Sequence, residues 1–390
     1  MTATLARPTP HTRVLVDTAA VDDVPALRSL YHAVYGDCYP LRLGTDPVAM
    51  AAAMTDPTVK WRVARDIATG DVVGSALLRT DVPLRIGKVE GIAVDPGHAG
   101  AGIGGALLEA LMESAFGAEG GLDSVYATAR CVSPAPQRLL LRHGFHPLGV
   151  LPGAVTLREV ETLALLVRYR DGIPANRRAP GTVPQEVAPL LEAARGHGVH
   201  FDDIHAESAP VPPRTGAGTD LDVSHDPGLV LQRYAWTPSG AARTLPLHLP
   251  NTLLASPDGR FEAYAVIDAI AGNGLLLEAH SAPDEAPEAL GDVLRVMAER
   301  GADYIEAMLP LHDRTRIERH LAHGFTPTAL YPAMRREDGV WHDYVLLSHT
   351  TARVDADALR VDDRFSPYVR QHSHVRPPAS PNPSDTTKRG

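Results

Sequence analysis

The amino-acid sequence predicts an α/β protein built as two consecutive folded units. Three observations carry this. An apolar strand pattern over 89–94 meets an apolar helix pattern across a turn holding Gly97, Gly100, Gly102, Gly104 and Gly105. A segment of the first half recurs in the second: Leu141-Arg142-His143-Gly144-Phe145-His146-Pro147, with Pro152 five residues on, and Leu321-Ala322-His323-Gly324-Phe325-Thr326-Pro327, with Pro332 five residues on. The copies lie 180 residues apart, and 390 residues at 44% hydrophobic content are enough for two cores.

The elements follow in order. Residues 1–11 lack apolar periodicity and are expected to be disordered, as is most of the tail 353–390, whose last 25 residues are rich in Pro, Ser, Thr and charge. A first unit spans 12–170. It opens with a strand over 13–17, then a helix capped by Asp22 and Asp23 with Val24, Leu27, Leu30, Tyr31 and Val34 on one stripe. Strands over 60–66, 72–80 and 86–94 precede the glycine turn. The helix after it buries Ile103, Leu107, Leu108, Leu111, Met112 and Ala115. A strand over 124–130, a short helix over 135–143 stopped by Gly144, and strands over 146–151 and 163–169 close the unit. The polar Pro/Gly stretch 171–185 suits a linker to a second unit over 186–352, with 210–218 a loop inside it. There, strands over 261–270 and 275–280 flank a hairpin turn at Gly272-Asn273-Gly274, followed by a helix bearing Leu290, Val293, Leu294 and Met297 and a strand over 304–309.

The glycine turn carries the chemistry. Backbone N–H groups at Gly100, Ala101, Gly102, Ile103, Gly104 and Gly105 can converge on an anion with little side chain in the way, and a helix opening near Gly102 adds its positive dipole end. Strand, Pro96, small-residue loop and helix together resemble the cofactor loop of the GCN5-related N-acetyltransferases (GNAT). Gly102 and Gly104 match that family's two small positions, while Ala99 stands where the family carries Arg or Gln. The resemblance covers 12–170 well and 220–350 weakly. It implies a mixed β-sheet flanked by helices in each unit, and acetyl-CoA or another acyl-CoA as the cofactor, its pyrophosphate on the loop amides. It also implies that the strand residues Ile92, Ala93 and Val94 pair with the cofactor's amide arm beside a bulge at Gly91, and that Glu90 is the general base. The residues by themselves leave Glu90 open as an exposed strand residue or a partner of Arg85 or Lys88. Where the family has a Tyr acid, four residues before the pair matching Gly144-Phe145, this chain has Leu140. Proton return to the leaving thiolate then falls to water, Ser133 or Cys131, although a strand-end Cys reads first as a small buried hydrophobe. The second copy has Ser281, Ala282, Pro283, Asp284 and Glu285 in place of the glycines, acids that repel a diphosphate, so it is expected to be noncatalytic.

The resemblance implies acceptor recognition in the connection after the first helix, at Tyr35, Asp37 and Tyr39, which the residues alone equally allow as packing aromatics and a turn cap. The 18 histidines, His143, His146, His320 and His323 among them, show no metal-ligand spacing, and no metal is expected. A net charge of −10 with no dense basic run argues against nucleic acid or anionic membrane as the main partner. Two cysteines and no apolar stretch of bilayer length fit a cytoplasmic location. Frequent Ala, Pro, Gly and Arg with rare Lys fit a high-GC bacterial gene. The expected function is transfer of a small acyl group to a primary amine of a small molecule. The alternatives are an acyl-CoA-binding regulatory or scaffold module, or a protein lysine acetyltransferase; a homodimer stays open.

Overall fold

A computed structural model describes residues 13–36, 42–117, 120–179, 181–197, 204–208, 218, 220–237, 247–281, 289–352, 354 and 359–372. The first half contains β1 (Val14–Thr18), α1 (Val24–Tyr35), α2 (Arg42–Thr45), α3 (Pro47–Thr55), β2 (Val59–Asp66), β3 (Val72–Asp81) and β4 (Ile86–Val94). It continues with α4 (Ile103–Phe116), β5 (Ser124–Arg130), α5 (Ala135–Arg142), β6 (His146–Thr156) and β7 (Val160–Tyr169). Between the halves lie β8 (Thr182–Pro184), α6 (Ala188–Arg195) and β9 (His205–Glu207). The second half has β10 (Asp222–Ser224), α7 (Pro227–Ala235), β11 (Thr252–Ala255), β12 (Phe261–Asp268) and β13 (Asn273–Ser281). It ends with α8 (Leu290–Glu299), β14 (Tyr304–Pro310), α9 (Arg314–Ala322), β15 (Thr326–Glu337), β16 (Val340–Thr350) and α10 (Ser366–His372).

These strands form one 14-stranded mixed sheet in the order β1-β2-β3-β4-β5-β7-β6-β15-β16-β14-β13-β12-β11-β10. The order reads the same from either edge once the halves are matched, so the sequence repeat becomes a repeated strand topology meeting at β6 and β15. That seam is narrow: Gly149 and Ala329 are its paired residues. A Cβ on Gly149 would stand 2.1 Å from the Thr328 carbonyl oxygen, so only glycine lets the two backbones approach this closely. Side chains reinforce the seam, where the Ser124 and Tyr331 hydroxyls are 2.8 Å apart and Tyr169 donates to the Pro332 carbonyl at 2.6 Å.

One apolar cluster joins Leu107, Leu108 and Leu111 of α4 to Leu190 of α6, Val293 and Met297 of α8, and Phe365 and Tyr368. A second draws Tyr126, Tyr264, Tyr304, Tyr331 and Tyr344 from both halves. A third packs Leu27, Leu30 and Tyr31 of α1 and Met50 of α3 on Trp61, Val63 and Leu77. Alternate strand residues thus feed opposite faces, as period-two strands covered on both sides require.

The structure corrects three local expectations. The linker 171–185 is packed: it contains a 3-10 turn, Ile173–Asn176, and β8, and buries Ile173 and Val183. The tail is ordered at 359–372. There Phe365 and Tyr368 are fully buried and Gln137 clamps the chain, donating to the Arg360 carbonyl and accepting from the Asp362 N–H at 2.8 Å. A polar composition around two large aromatics hid this docking. In the hairpin, Asn273 and Gly274 are the first residues of β13, and the reversal occurs over 269–272. A Cβ on Gly274 would meet Met297 Cε at 2.6 Å, so that glycine serves helix packing, while Gly272, at φ +68°, makes the turn. The expected loop 210–218 and the stretch 282–285 fall largely outside the described residues.

Candidate functional site

The glycine turn is built as a cradle. Asp95 closes its entry by accepting from the Gly97 N–H at 2.8 Å, forming the 3-10 turn Pro96–His98. Gly100 and Gly102 then adopt left-handed backbone, φ +81° and +79°, and a Cβ built on either meets nothing within 4 Å. Their role is conformational and their surroundings are open. Helix α4 begins at Ile103, which is buried against β3 because Gly74 has no side chain; a Cβ there would lie 2.7 Å from Ile103 Cγ2. The N–H groups of Ile103, Gly104 and Gly105 form the first helical turn and have no intrahelical acceptor. Ala101 departs from expectation: its N–H is donated to the His98 carbonyl at 3.3 Å, which turns it into the loop. Gly105 is small for a further reason, since a Cβ there would touch His143 Nε2 at 2.9 Å.

The strand leading into this cradle parts from its neighbour. Parallel pairing of β4 with β5 runs from Ile86–Ser124 to Val89–Ala127 and stops. Gly91, at φ +61°, and Ile92 together oppose the single residue Ala76 on β3, a bulge that bends β4 away. Past it Ala93 and Val94 pair with Ser75 and Gly74 on one side only, so the edge facing β5 is open over Ile92, Ala93 and Val94. Two tyrosines of α1 fix the bulge. Tyr31 donates to the Gly91 carbonyl at 2.9 Å and Tyr35 to the Ile92 carbonyl at 2.8 Å.

Glu90 precedes the bulge, and its side chain is 7% exposed. Oε1 is 2.8 Å from Lys88 Nζ; Oε2 is buried without a hydrogen-bond partner and lies 3.9 Å from Arg79 Nη1. Burial pushes this carboxyl up, but Lys88, through its charge and its hydrogen bond, and Arg79 outweigh it and hold it below the usual carboxylate range. It is therefore ionised near neutral pH, with one buried oxygen unpartnered. Lys88 also faces Glu306 of the second half, a carboxyl that burial raises against the opposing Tyr304 hydroxyl and Lys88. His248, in the segment leading into β11, is driven down to about 3 by burial and the nearby Lys88, and so is neutral. No sequence signal could have joined residues this far apart in the chain. Arg85, the other suggested partner of Glu90, binds Asp123 instead.

A cavity of about 440 Å³ opens beside Tyr35, lined also by Arg130, Leu157, Arg158, Glu159 and Glu161. Of the acceptor residues expected from sequence, Tyr35 lines it, and Asp37 and Tyr39 lie outside the described residues. The charged lining was missed because the turn joining β6 and β7 carries no motif. Leu140 is buried, and burial, together with Glu161, pushes the Cys131 thiol up to about 12, leaving it protonated and inert. Ser133 accepts from the Ala135 N–H at the start of α5.

The second half repeats the splay, and its sequence carries no glycine at 281–285, where the first half has its turn. Pairing of β13 with β14 ends at Leu276–Ala307, and Leu277 is a bulged residue. The space left measures only about 50 Å³ and is lined by Glu278, Arg316, Arg319 and His320 among apolar residues. Glu278 lies 3.7 Å from Arg316, and His320, at the position matching Leu140, donates Nδ1–H to the Arg316 carbonyl at 2.8 Å. Among the described residues no cluster could hold a metal ion, and no helix is long and apolar enough to cross a membrane.

Residues 25–145 match the model of the Acetyltransferase (GNAT) family. Comparison with curated proteins returned no match. Among solved structures, the ribosomal-protein-S18-alanine N-acetyltransferase of Escherichia coli is similar at 17% identity, covering 40% of this chain and 94% of that one, TM-score 0.35. A phosphinothricin acetyltransferase from Sinorhizobium meliloti in complex with AcCoA is similar at 20% identity, covering 40% and 88%, TM-score 0.35. The ribosomal-protein-alanine N-acetyltransferase of Brucella melitensis is similar at 21% identity, covering 40% and 99%, TM-score 0.35.

Proposed function

We propose that the first half transfers an acetyl or other small acyl group from its coenzyme A thioester to a primary amine of a small molecule. The observation that carries this is a coincidence in space. A left-handed glycine cradle at a helix N-terminus stands at the end of a strand that has just bulged and parted from its parallel neighbour, within the segment matching the acetyltransferase model.

The residues present fit an acyl-CoA. The open space over Gly100 and Gly102, which a side chain would fill, with the unpaired amides of Ile103, Gly104 and Gly105, suits a diphosphate. The free edge of Ile92, Ala93 and Val94 offers backbone partners to an amide-bearing arm running between β4 and β5. When bound, the thioester supplies the electrophilic carbonyl carbon. Ile103 and Gly74 set the helix against the strand, so the cradle is held on rigid elements. Glu90 receives the proton that the amine sheds on attack, directly or through water, at its unpartnered Oε2. Its lowered basicity keeps it ionised and limits its driving force, so positioning carries more of the rate than basicity. The leaving thiolate takes its proton from water, since Leu140 has no hydroxyl and Cys131 holds its own proton.

The second half acts as a noncatalytic partner. Its sequence has no glycines at 281–285, its splay is occupied by the Glu278–Arg316 pair, and the remaining space is too small for a thioester arm. Its contribution is to cover Lys88 and Glu90 with Glu306 and His248.

The test is thermal stabilisation of the full chain across coenzyme A thioesters, followed by free-thiol release with a panel of amines. A ligand at one hundred times its dissociation constant adds about 2.7 kcal/mol. Stabilisation with amine-dependent thiol release is expected. Stabilisation without release under any amine would leave an acyl-CoA-binding module in its place.

A further inference from the structure

We infer that the acceptor is a zwitterionic amine, an amino acid or short peptide, whose carboxylate seats on Arg130. This rests on the acyl-transfer reading above and specifies its substrate class.

Arg130 is the last residue of β5, placed where β5 has left β4. Glu161, 8% exposed, takes one side of its guanidinium in a fork, from Nε at 2.6 Å and Nη2 at 2.5 Å. Both carboxylate oxygens are used by that contact. The end of the guanidinium keeps the two hydrogens of Nη1 and one of Nη2, none of which is donated to any described residue, and the side chain is 38% exposed into the cavity. Two parallel N–H groups at that spacing match a second carboxylate. The fork to Glu161 has already fixed the rotamer, so little side-chain entropy is lost when a ligand binds the open end. Arg158 adds positive charge to the same cavity, and Glu159 places a carboxylate there for an incoming ammonium.

Geometry ties this anchor to the reacting end. Tyr35 forms the wall of the cavity and its hydroxyl holds the Ile92 carbonyl at 2.8 Å, so the cavity abuts the bulge where the amine must attack. A carboxylate at Arg130 and an amine at the bulge then belong to one small molecule. A diamine fits less well, because Arg130 and Arg158 put two cations in the cavity and the buried carboxylate of Glu161 is spent on Arg130, leaving only Glu159 to face a second ammonium. An apolar amine would leave the open end of Arg130 covered and unbonded, which costs more than it gains. About 440 Å³ lies within the range of small-molecule sites and leaves room for a side chain or a second residue.

The experiment uses the full chain, acetyl-CoA and matched acceptors: free amino acids and dipeptides, each against its own C-terminal amide, with simple diamines alongside. The expected result is a preference of about 30-fold or more in kcat/KM for the carboxylate form. The lower amine pKa of the amides works against this outcome, which makes it a conservative test. The double substitution Arg130→Gln with Glu161→Gln removes both charges together. It should collapse the ratio toward one while acetyl-CoA still stabilises the chain; should that variant not fold, the wild-type ratio decides alone. Amides or diamines used as well as the carboxylates overturn the zwitterion inference and leave acyl transfer standing. No thiol release with any amine overturns the acyl-transfer reading and this inference with it.

Discussion

Glu90→Gln separates a catalytic carboxylate from a structural one, because the two roles predict losses in different measurements. The pair it breaks is well buried, with Lys88 and Glu90 side chains 19% and 7% exposed and 2.8 Å apart. Removing one partner of a buried pair costs about 3–5 kcal/mol when nothing replaces it. Here the Gln oxygen still accepts from Lys88 and Glu306 still faces it, so a loss below that range, about 2–3 kcal/mol, is expected at pH 7. The pH dependence has a definite sign. The folded-state carboxyl is held below its ordinary value, so its stabilisation is complete above the unfolded value of about 4.3 and disappears as pH falls through the lower folded one. Urea denaturation curves of wild type and variant should therefore differ at pH 7 and converge in strong acid. If Glu90 also takes the proton, kcat of the folded variant falls by about 10²–10⁴, and the pH at which activity appears moves upward toward that of the free amine. A folded variant with kcat within a few-fold of wild type and an unchanged pH profile removes Glu90 from the chemistry. Equal denaturation curves at pH 7 refute the ion-pair argument.

Three further outcomes can be checked. Gly102→Asp should cost about 1–2 kcal/mol, since its left-handed backbone and not its open surroundings require glycine, and should abolish thermal stabilisation by acetyl-CoA; full retention would show that the loop does not hold the diphosphate. Gly149→Ala places a Cβ 2.1 Å from the Thr328 oxygen and 2.6 Å from Ala329 Cα, both backbone, so the seam must part, with a loss of about 3 kcal/mol or more and separate unfolding of the halves in calorimetry; one unchanged transition would contradict a shared sheet. His320 is held down to about 4 by burial, so its stabilisation is present above about 6.5 and lost as pH falls toward 4. His320→Leu, which copies the matching Leu140, should flatten that acid-side slope in denaturation titrations, and an unaltered slope would assign it to other groups.

Much of the first half was legible because its signals are local. Period-two and helical patterns gave β4 and β5 their bounds, and the end of β4 at Val94 and start of α4 at Ile103 follow from proline and glycine in the turn between them. Gly91 announced the bulge because an interior strand glycine that φ +61° requires has few other uses. The two copies of the repeat fall at matching places in the strand order, each leading into the strand that forms the seam. The acceptor cavity was not legible: Arg130 and Glu161 are ordinary strand residues until the antiparallel pairing of β5 with β7 brings their side chains together. The ordered segment 359–372 escaped because two buried aromatics in a polar stretch leave no period to detect.

By itself the sequence determined most elements of the first half, the glycine turn, the strand bulge and the repeat, since each is encoded within a few residues by backbone sterics and side-chain period. Tertiary structure alone decided that the repeats share one sheet through Gly149 and Ala329, that Glu90 is held between Lys88 and a second-half cover, and that an arginine with one open end faces the bulge. The partners in such contacts stand far apart in the chain, as Ser124 and Tyr331 do across 207 residues. Edge pairing and burial select them after folding, and neither leaves a mark that local periodicity can carry.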